Sequence, residues 1–102
     1  MSAFDDEMDA GMARMMTDMH AARPTGDPDI DFLAMMIPHH AGAVAMARAL
    51  LQHGRDPVTR QLAQEIIAGQ TVEIEGMQRR LALLQQPGRG PEFPALGGTR
   101  GR

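Results

Sequence analysis

An all-α fold follows from three features of this 102-residue sequence. No segment alternates apolar and polar residues between turn dipeptides, as a half-buried strand would. Asp-Pro opens two long stretches, at Asp27-Pro28 and Asp56-Pro57; Asp as N-cap with Pro in the first turn is a strong helix start. Pro and Gly punctuate the ends of the stretches, at Arg23-Pro24-Thr25-Gly26, at Gly54 and at Pro87-Gly88.

The elements follow in order. Ser2 caps a first helix that runs to about Ala22. The second helix runs from Pro28 to His53 and stops at Gly54. The third runs from Pro57 to about Gln85. Helices of roughly 19, 26 and 29 residues span about 28 to 44 Å at 1.5 Å per residue. The short loops make consecutive helices antiparallel neighbours. Residues 1–86 are thus the bundle domain. Residues 87–102, with five Gly and three Pro, cannot pack a core and are expected to be a disordered tail. Pro38 falls inside the second helix, removing a backbone donor and clashing with the carbonyl of Ala34, so a kink is expected there. That kink is either merely tolerated or a device that turns His39 and His40.

Composition narrows the function. The length suits one small domain, whose modest core leaves room for a dimer or a ligand to add stability. A net charge of -3, with eight acids but only Arg14 and Arg23 as bases before residue 32, argues against nucleic acid or an anionic membrane as partner. The absence of Cys removes disulfides, thiolate metal sites and cysteine nucleophiles. No apolar run approaches a membrane span. The acidic start Met1-Ser2-Ala3-Phe4-Asp5-Asp6-Glu7 does not read as a signal peptide. The expected location is therefore the cytoplasm or, if an export signal has been removed, the periplasm or cell envelope.

Methionine is the unusual component. Met occurs 10 times and Leu 8, although Leu normally leads. In the first helix Met8, Met12, Met15 and Met19 step by four, three and four, an a/d seam flanked by Met16 and His20. No Leu, Ile or Val precedes Ile30. Such a seam serves as core, as a soft-metal surface, or as both. In the second helix Met36-Ile37-Pro38-His39-His40, followed by Met46, places thioethers and imidazoles within a few turns. Leu33, Met36, His40, Val44, Ala47 and Leu51 share one arc, and Phe32, His39, Met46 and Leu50 form its edge. Met35 lies near the Met46 side. In the third helix Leu62, Ile66, Met77, Leu81 and Leu84 share a stripe that Gln70 and Glu73 interrupt. Glu is rarely buried without a partner, so Glu73 is expected to pair with an Arg or a His, or to join a metal shell. A ferritin-type di-iron centre lacks its carboxylates here. Zincin, phosphate-loop and dinucleotide motifs are absent, and Ser2 is the only serine.

The run Met35-Met36-Ile37-Pro38-His39-His40-Ala41-Gly42-Ala43-Val44-Ala45-Met46-Ala47 resembles the signature of domain-of-unknown-function family 305, small, mostly bacterial helical proteins. A second block also matches: Leu62-Ala63, Ile66-Ile67 and Gln70-x-x-Glu73-Ile74-x-x-Met77. The two blocks lie between Asp31 and Leu84. The resemblance implies a ferritin-like bundle and, for some members, binding of copper or silver ions in the periplasm or cell envelope. Carried over, the implicated residues are Met36, His39, His40, Met46, Gln70, Glu73 and Met77. Arg80 departs from the pattern, since the family often has Trp there.

The expectation is an all-α, ferritin-like bundle of three main helices, completed where needed by dimerisation. Its function would be to bind, buffer or hand on Cu(I) or Ag(I), without enzymatic activity. Metal, a second copy of the chain and a copper-handling partner protein are the expected partners. Imidazole ligands must be deprotonated, so binding should fail below roughly pH 6. The alternative is a structural or interaction dimer whose Met seam only packs. A metalloenzyme using the His pair and Glu73 would need an open coordination position beside a substrate pocket.

Overall fold

The computed structural model describes residues 2–88. The helices are α1 (Ala3–Ala21), α2 (Pro28–His53) and α3 (Pro57–Leu84), within a residue or so of the sequence boundaries. Met1 and residues 89–102, most of the expected tail, lie outside the described residues.

Each helix begins where its cap dictates. Ser2 and Asp5 form a reciprocal capping box on α1. Asp27 accepts from the backbone N–H groups of Asp29 and Ile30, and Asp56 from that of Thr59, satisfying donors that have no intrahelical acceptor. The α1–α2 loop is tied by Asp31. Its carboxylate accepts from the Thr25 hydroxyl at 2.7 Å, the Thr25 N–H at 2.9 Å and the Gly26 N–H at 3.2 Å. These bonds, led by the Thr25 hydroxyl, hold the Asp31 carboxyl below its usual range. Gly26, at φ 90°, takes the left-handed conformation that a side chain disfavours. At the far end of α2, the Arg60 guanidinium donates to the carbonyls of Leu51 at 2.6 Å and Gly54 at 3.0 Å. A cation at a helix C-terminus satisfies the free carbonyls and complements the helix dipole. α2 remains one helix through Pro38.

α2 is the central element. α1 and α3 each pack on it, and no Cα of α1 comes within 8 Å of one in α3. α1 packs tightly on α2 at Gly42, where a Cβ would sit 2.5 Å from the Met15 sulfur. Met15, Ala47, Ala49 and Ala63 are the buried apolar residues. Three of the four are Ala, so the helices lie close and little side-chain volume is enclosed.

This open arrangement corrects several sequence expectations. Met15 of the proposed seam is buried and Met8 and Met19 are half-buried, but Met12 is exposed. The α3 stripe does not bury Leu62 or Ile66, which are 53% and 43% exposed. Glu73, expected within the apolar stripe of α3, is exposed. The cause is common: helical periodicity marks a side that wants cover, and among the described residues no fourth helix covers it. α2 is also, by length and composition, apolar enough to cross a membrane, contrary to the sequence expectation. Its contacts with two amphipathic neighbours and its Asp29, Asp31, His39, His40 and Arg48 are features of a central soluble helix as well.

Candidate soft-metal site

His40 is the best-placed donor. It lies on the α3-facing side of α2, and its side chain is only 14% exposed. Nδ1 is 3.0 Å from the carbonyl oxygen of Met36 one turn earlier. Nε2 is 2.7 Å from Glu73 Oε1 on α3. A carbonyl oxygen only accepts, so Nδ1 carries a hydrogen and donates it. That fixes the ring orientation and leaves Nε2 as the nitrogen that either donates to Glu73 or offers its lone pair to a metal. With both nitrogens donating, the ring holds two protons, and a metal would take the place of the Nε2 proton.

The cleft around this pair has a volume of about 420 Å³. Phe32, Leu33, Met36, His40, Glu73 and Met77 line it, with Gly76 and Arg80. Met36 and His40 lie one turn apart on α2, and Glu73 and Met77 one turn apart on α3. The antiparallel packing of the two helices brings both pairs to one place. Gln70 lies a turn before Glu73 and beside it in a neighbouring depression. Gln70 Oε1 is buried without a hydrogen-bond partner, leaving an acceptor beside the site that burial would ordinarily require to be satisfied. Of the expected grouping of Gln70, Glu73 and Met77 with the His pair, Glu73 bonds to His40 and Met77 shares its cleft, whereas Gln70 lies in the neighbouring depression.

His39 is placed differently. Adjacent helical residues diverge by 100°, and the His39 and His40 rings stand 6.1 Å apart at 59°. His39 is exposed. Met35, four residues before it, is 47% exposed, and Met46 is half-buried. These three share an edge of α2 next to α1. The sequence candidates thus divide into Met36, His40, Gln70, Glu73 and Met77 on one side, and His39 and Met46 with the α1 methionines on the other.

Among the described residues, no three His, Asp or Glu side chains converge as a metal-holding group. A site at His40 and Glu73 would need thioethers to complete it. Imidazole and thioether donors suit a soft monovalent ion, and a lone carboxylate with an imidazole suits a hard divalent one poorly.

The family model described as "Domain of unknown function (DUF305)" matches residues 1–81. The chain belongs to DUF305. An uncharacterized protein of Acanthamoeba polyphaga mimivirus is 41% identical over 49 residues, covering 48% of this chain and 32% of that protein. The chain therefore spans about a third of that relative's length. The DUF305 match contains α1, α2 and most of α3, so all the candidate residues lie inside it.

Some functional geometry escaped the sequence reading. Arg60 caps α2 from α3. His53 bonds through Nε2 to Glu7 on α1, and Phe4 meets the His53 ring edge-on at 6.0 Å between centroids. The His53–Glu7 pair spans 46 residues and the Arg60 contacts cross the α2–α3 junction, and neither carries a periodic signal. The Met36 carbonyl that orients His40 was legible in principle, because the residue four before a helical His presents its carbonyl on the same face.

Proposed function

We propose that this DUF305 protein binds a soft monovalent ion, Cu(I) or Ag(I), in the α2–α3 cleft and buffers it or hands it on. It does so as a binding protein, not as a catalyst. The observation that carries this is His40: a nearly buried imidazole, oriented by a backbone carbonyl, with its other nitrogen aimed at Glu73 in a cleft lined by Met36 and Met77. His40 Nε2 and the two thioethers would be the ligands. The Met36 carbonyl would keep the ring oriented through Nδ1, Glu73, giving up Nε2 to the ion, would balance its charge, and Gln70 would border Glu73. His39, Met35 and Met46, with Met12 and Met16, would offer a second, more exposed set of soft donors for capture or transfer to a copper-handling partner. The periplasm or cell envelope is the compartment that suits this role.

Anaerobic titration with Cu(I) against a colorimetric chelator tests the proposal. The wild-type chain should withdraw at least one equivalent. Replacing His40 by Ala, or Met36 and Met77 together by Leu, should weaken that binding at least tenfold with helicity preserved. Failure of the folded wild type to compete at micromolar protein would refute it. Comparable binding of Zn(II) would indicate that His40 and Glu73 form the site and that the thioethers are packing.

The structural alternative, a helical dimer with no metal role, has its own support in the apolar face left open by the three helices.

A further inference from the structure

A single layer of helices has two open faces, and here they differ sharply in chemistry. α3 packs on α2 through a stripe that includes Ala63, Gln70 and Met77. Rotating 100° per residue from it, Leu62, Ile66 and Glu73 turn to one side. Phe32 of α2 is on that side too, since it lines the same cleft as Glu73. α1 is antiparallel to α2 and sets Met15 against Gly42. The same rotation, with the hand of an antiparallel pair, turns Met12 and Met16 to that side. His39, Met46 and Leu50 form the floor between the flanking helices. Met12, Met16, Phe32, Leu62 and Ile66 are each 42–59% exposed. The opposite face presents Arg14, Arg48, Gln64, Glu75 and Gln78, all exposed.

We infer that a second copy of this chain packs on the apolar face, layer against layer, giving a six-helix homodimer about a two-fold axis. A helical domain is built from two packed layers around one core, because each helix must bury its apolar side against another element. The described residues supply one layer with almost no interior. An identical layer supplies the other, and two-fold dimers are the commonest closed assembly. The size fits. Helices of 19, 26 and 28 residues, about 28 to 42 Å long and set 8–10 Å apart, give each copy a footprint of roughly 1,000 Å², above the ≈ 800 Å² per partner of a standard stable interface. The five exposed side chains alone offer on the order of 500 Å², the upper range of patches on monomers. The face is not free of charge: Glu73 bonds to His40, Arg80 lines the same cleft, Glu65 borders Leu62 and Ile66, and the rotation that turns Met12 and Met16 outward brings Asp9 with them. Arg14, Arg48 and Glu75 of the opposite face stay clear of a second copy. The dimer does not depend on the metal proposal and is expected of the metal-free chain.

Sedimentation velocity in chelator, at about 100 μM protein, provides the test. The wild type should sediment at twice the 11.1 kDa chain mass. Leu62→Asp with Ile66→Asp should give a helical monomer. Val72→Asp, on the outward side of α3 where Val72 is 67% exposed, should leave the dimer intact. A second measurement uses only the wild type, in case the double variant fails to fold. Oxidative footprinting by mass spectrometry should show Met12 and Met16 protected at high concentration and at least threefold more reactive after dilution below the dissociation constant. A monomeric wild type would overturn the inference and leave the face to a different protein or a membrane. So would a dimer in which Met12 and Met16 stay fully reactive, or one that survives the double Asp variant.

Discussion

Gly42→Ala offers a direct test of how the three helices are held. Taken alone, Ala in place of a mid-helix Gly favours the helix by about 0.8–1.0 kcal/mol. At this position the new Cβ would lie 2.5 Å from the Met15 sulfur, 2.9 Å from its Cγ and 3.1 Å from its Cβ. Contact between carbon and its neighbours is comfortable only near 3.5–4.0 Å. Met15 must therefore swing away or α1 must move by about 1 Å. Overpacking of this kind costs about 1–3 kcal/mol, and displacing a buried Met side chain costs a similar amount. The two effects oppose, and the clash is larger. The expected net loss is about 1–2 kcal/mol, or roughly 5–12 °C in Tm for a domain of this size. The measurement is thermal unfolding by circular dichroism in chelator, with Gly11→Ala as reference, since a Cβ there meets nothing within 4 Å and should stabilise. Met15→Ala should remove the clash, so the double variant should cost at least about 1 kcal/mol less than the two single changes added together. A Gly42→Ala protein as stable as the Gly11→Ala one would refute the close packing of α1 on α2.

Further expectations follow from the site and the loop. Glu73→Gln should lower Cu(I) affinity about tenfold or more, because it removes the negative charge lining the cleft beside His40 that would balance the ion. It should change unfolding free energy by less than about 1 kcal/mol, because Glu73 is 60% exposed and exposed pairs contribute little; unaltered Cu(I) competition would remove Glu73 from the site. Replacing Met8, Met12, Met15 and Met19 together by Leu should keep the helical fold, since Leu and Met have similar volumes. The variant should also lose Cu(I) equivalents if these thioethers bind, and an unchanged count would confine the site to α2 and α3. The Asp31 carboxyl, held below its ordinary 3.8 first by the Thr25 hydroxyl, should stabilise the loop fully above about pH 4 and lose that contribution as pH falls through its depressed folded value. The Tm gap between wild type and Asp31→Asn should therefore be open at pH 7 and close on acidification, and a gap independent of pH would exclude the ionised carboxylate as its source.

The helices were legible because their signals are local. Ser2, Asp27 and Asp56 each announce a start through the donors that their side chains can reach. Glu73 was legible as an anomaly, a carboxylate within an apolar stripe, and its partner proved to be His40, 33 residues away. Periodicity could not show which apolar stripes would be covered. Leu62, Ile66, Phe32 and Met12 all point where a helical pattern says a core should be, but among the described residues no element lies there. The adjacent His residues suggested one site, while the 100° step between them sends His40 into the α2–α3 cleft and His39 to the open face. Arg60 and the His53–Glu7 pair were not legible, because nothing local marks a long side chain that reaches across a helix junction.

The exposure of Met12, Met16 and Met35 bears on why this chain uses Met at all. A methionine in a packed interior is explained by its pliable shape, and Met15 has that explanation. Within a single chain Met12, Met16 and Met35 do not, since each is more than 40% exposed. Two functions remain for an apolar side chain on an open face: contact with another chain, or use of the sulfur. Leu would supply the first as well as Met, with better-defined rotamers. Only the second requires a thioether. His39, on the same edge, adds a donor whose affinity for late transition metals needs no burial. The open face thus combines apolar area that a second copy could cover with sulfur and nitrogen that area alone does not call for. The His40 cleft opens at its margin through Phe32 and Glu73. In a face-to-face dimer, soft donors from both copies would line the approach to each cleft, and an ion could pass between thioethers of similar affinity before reaching the imidazole.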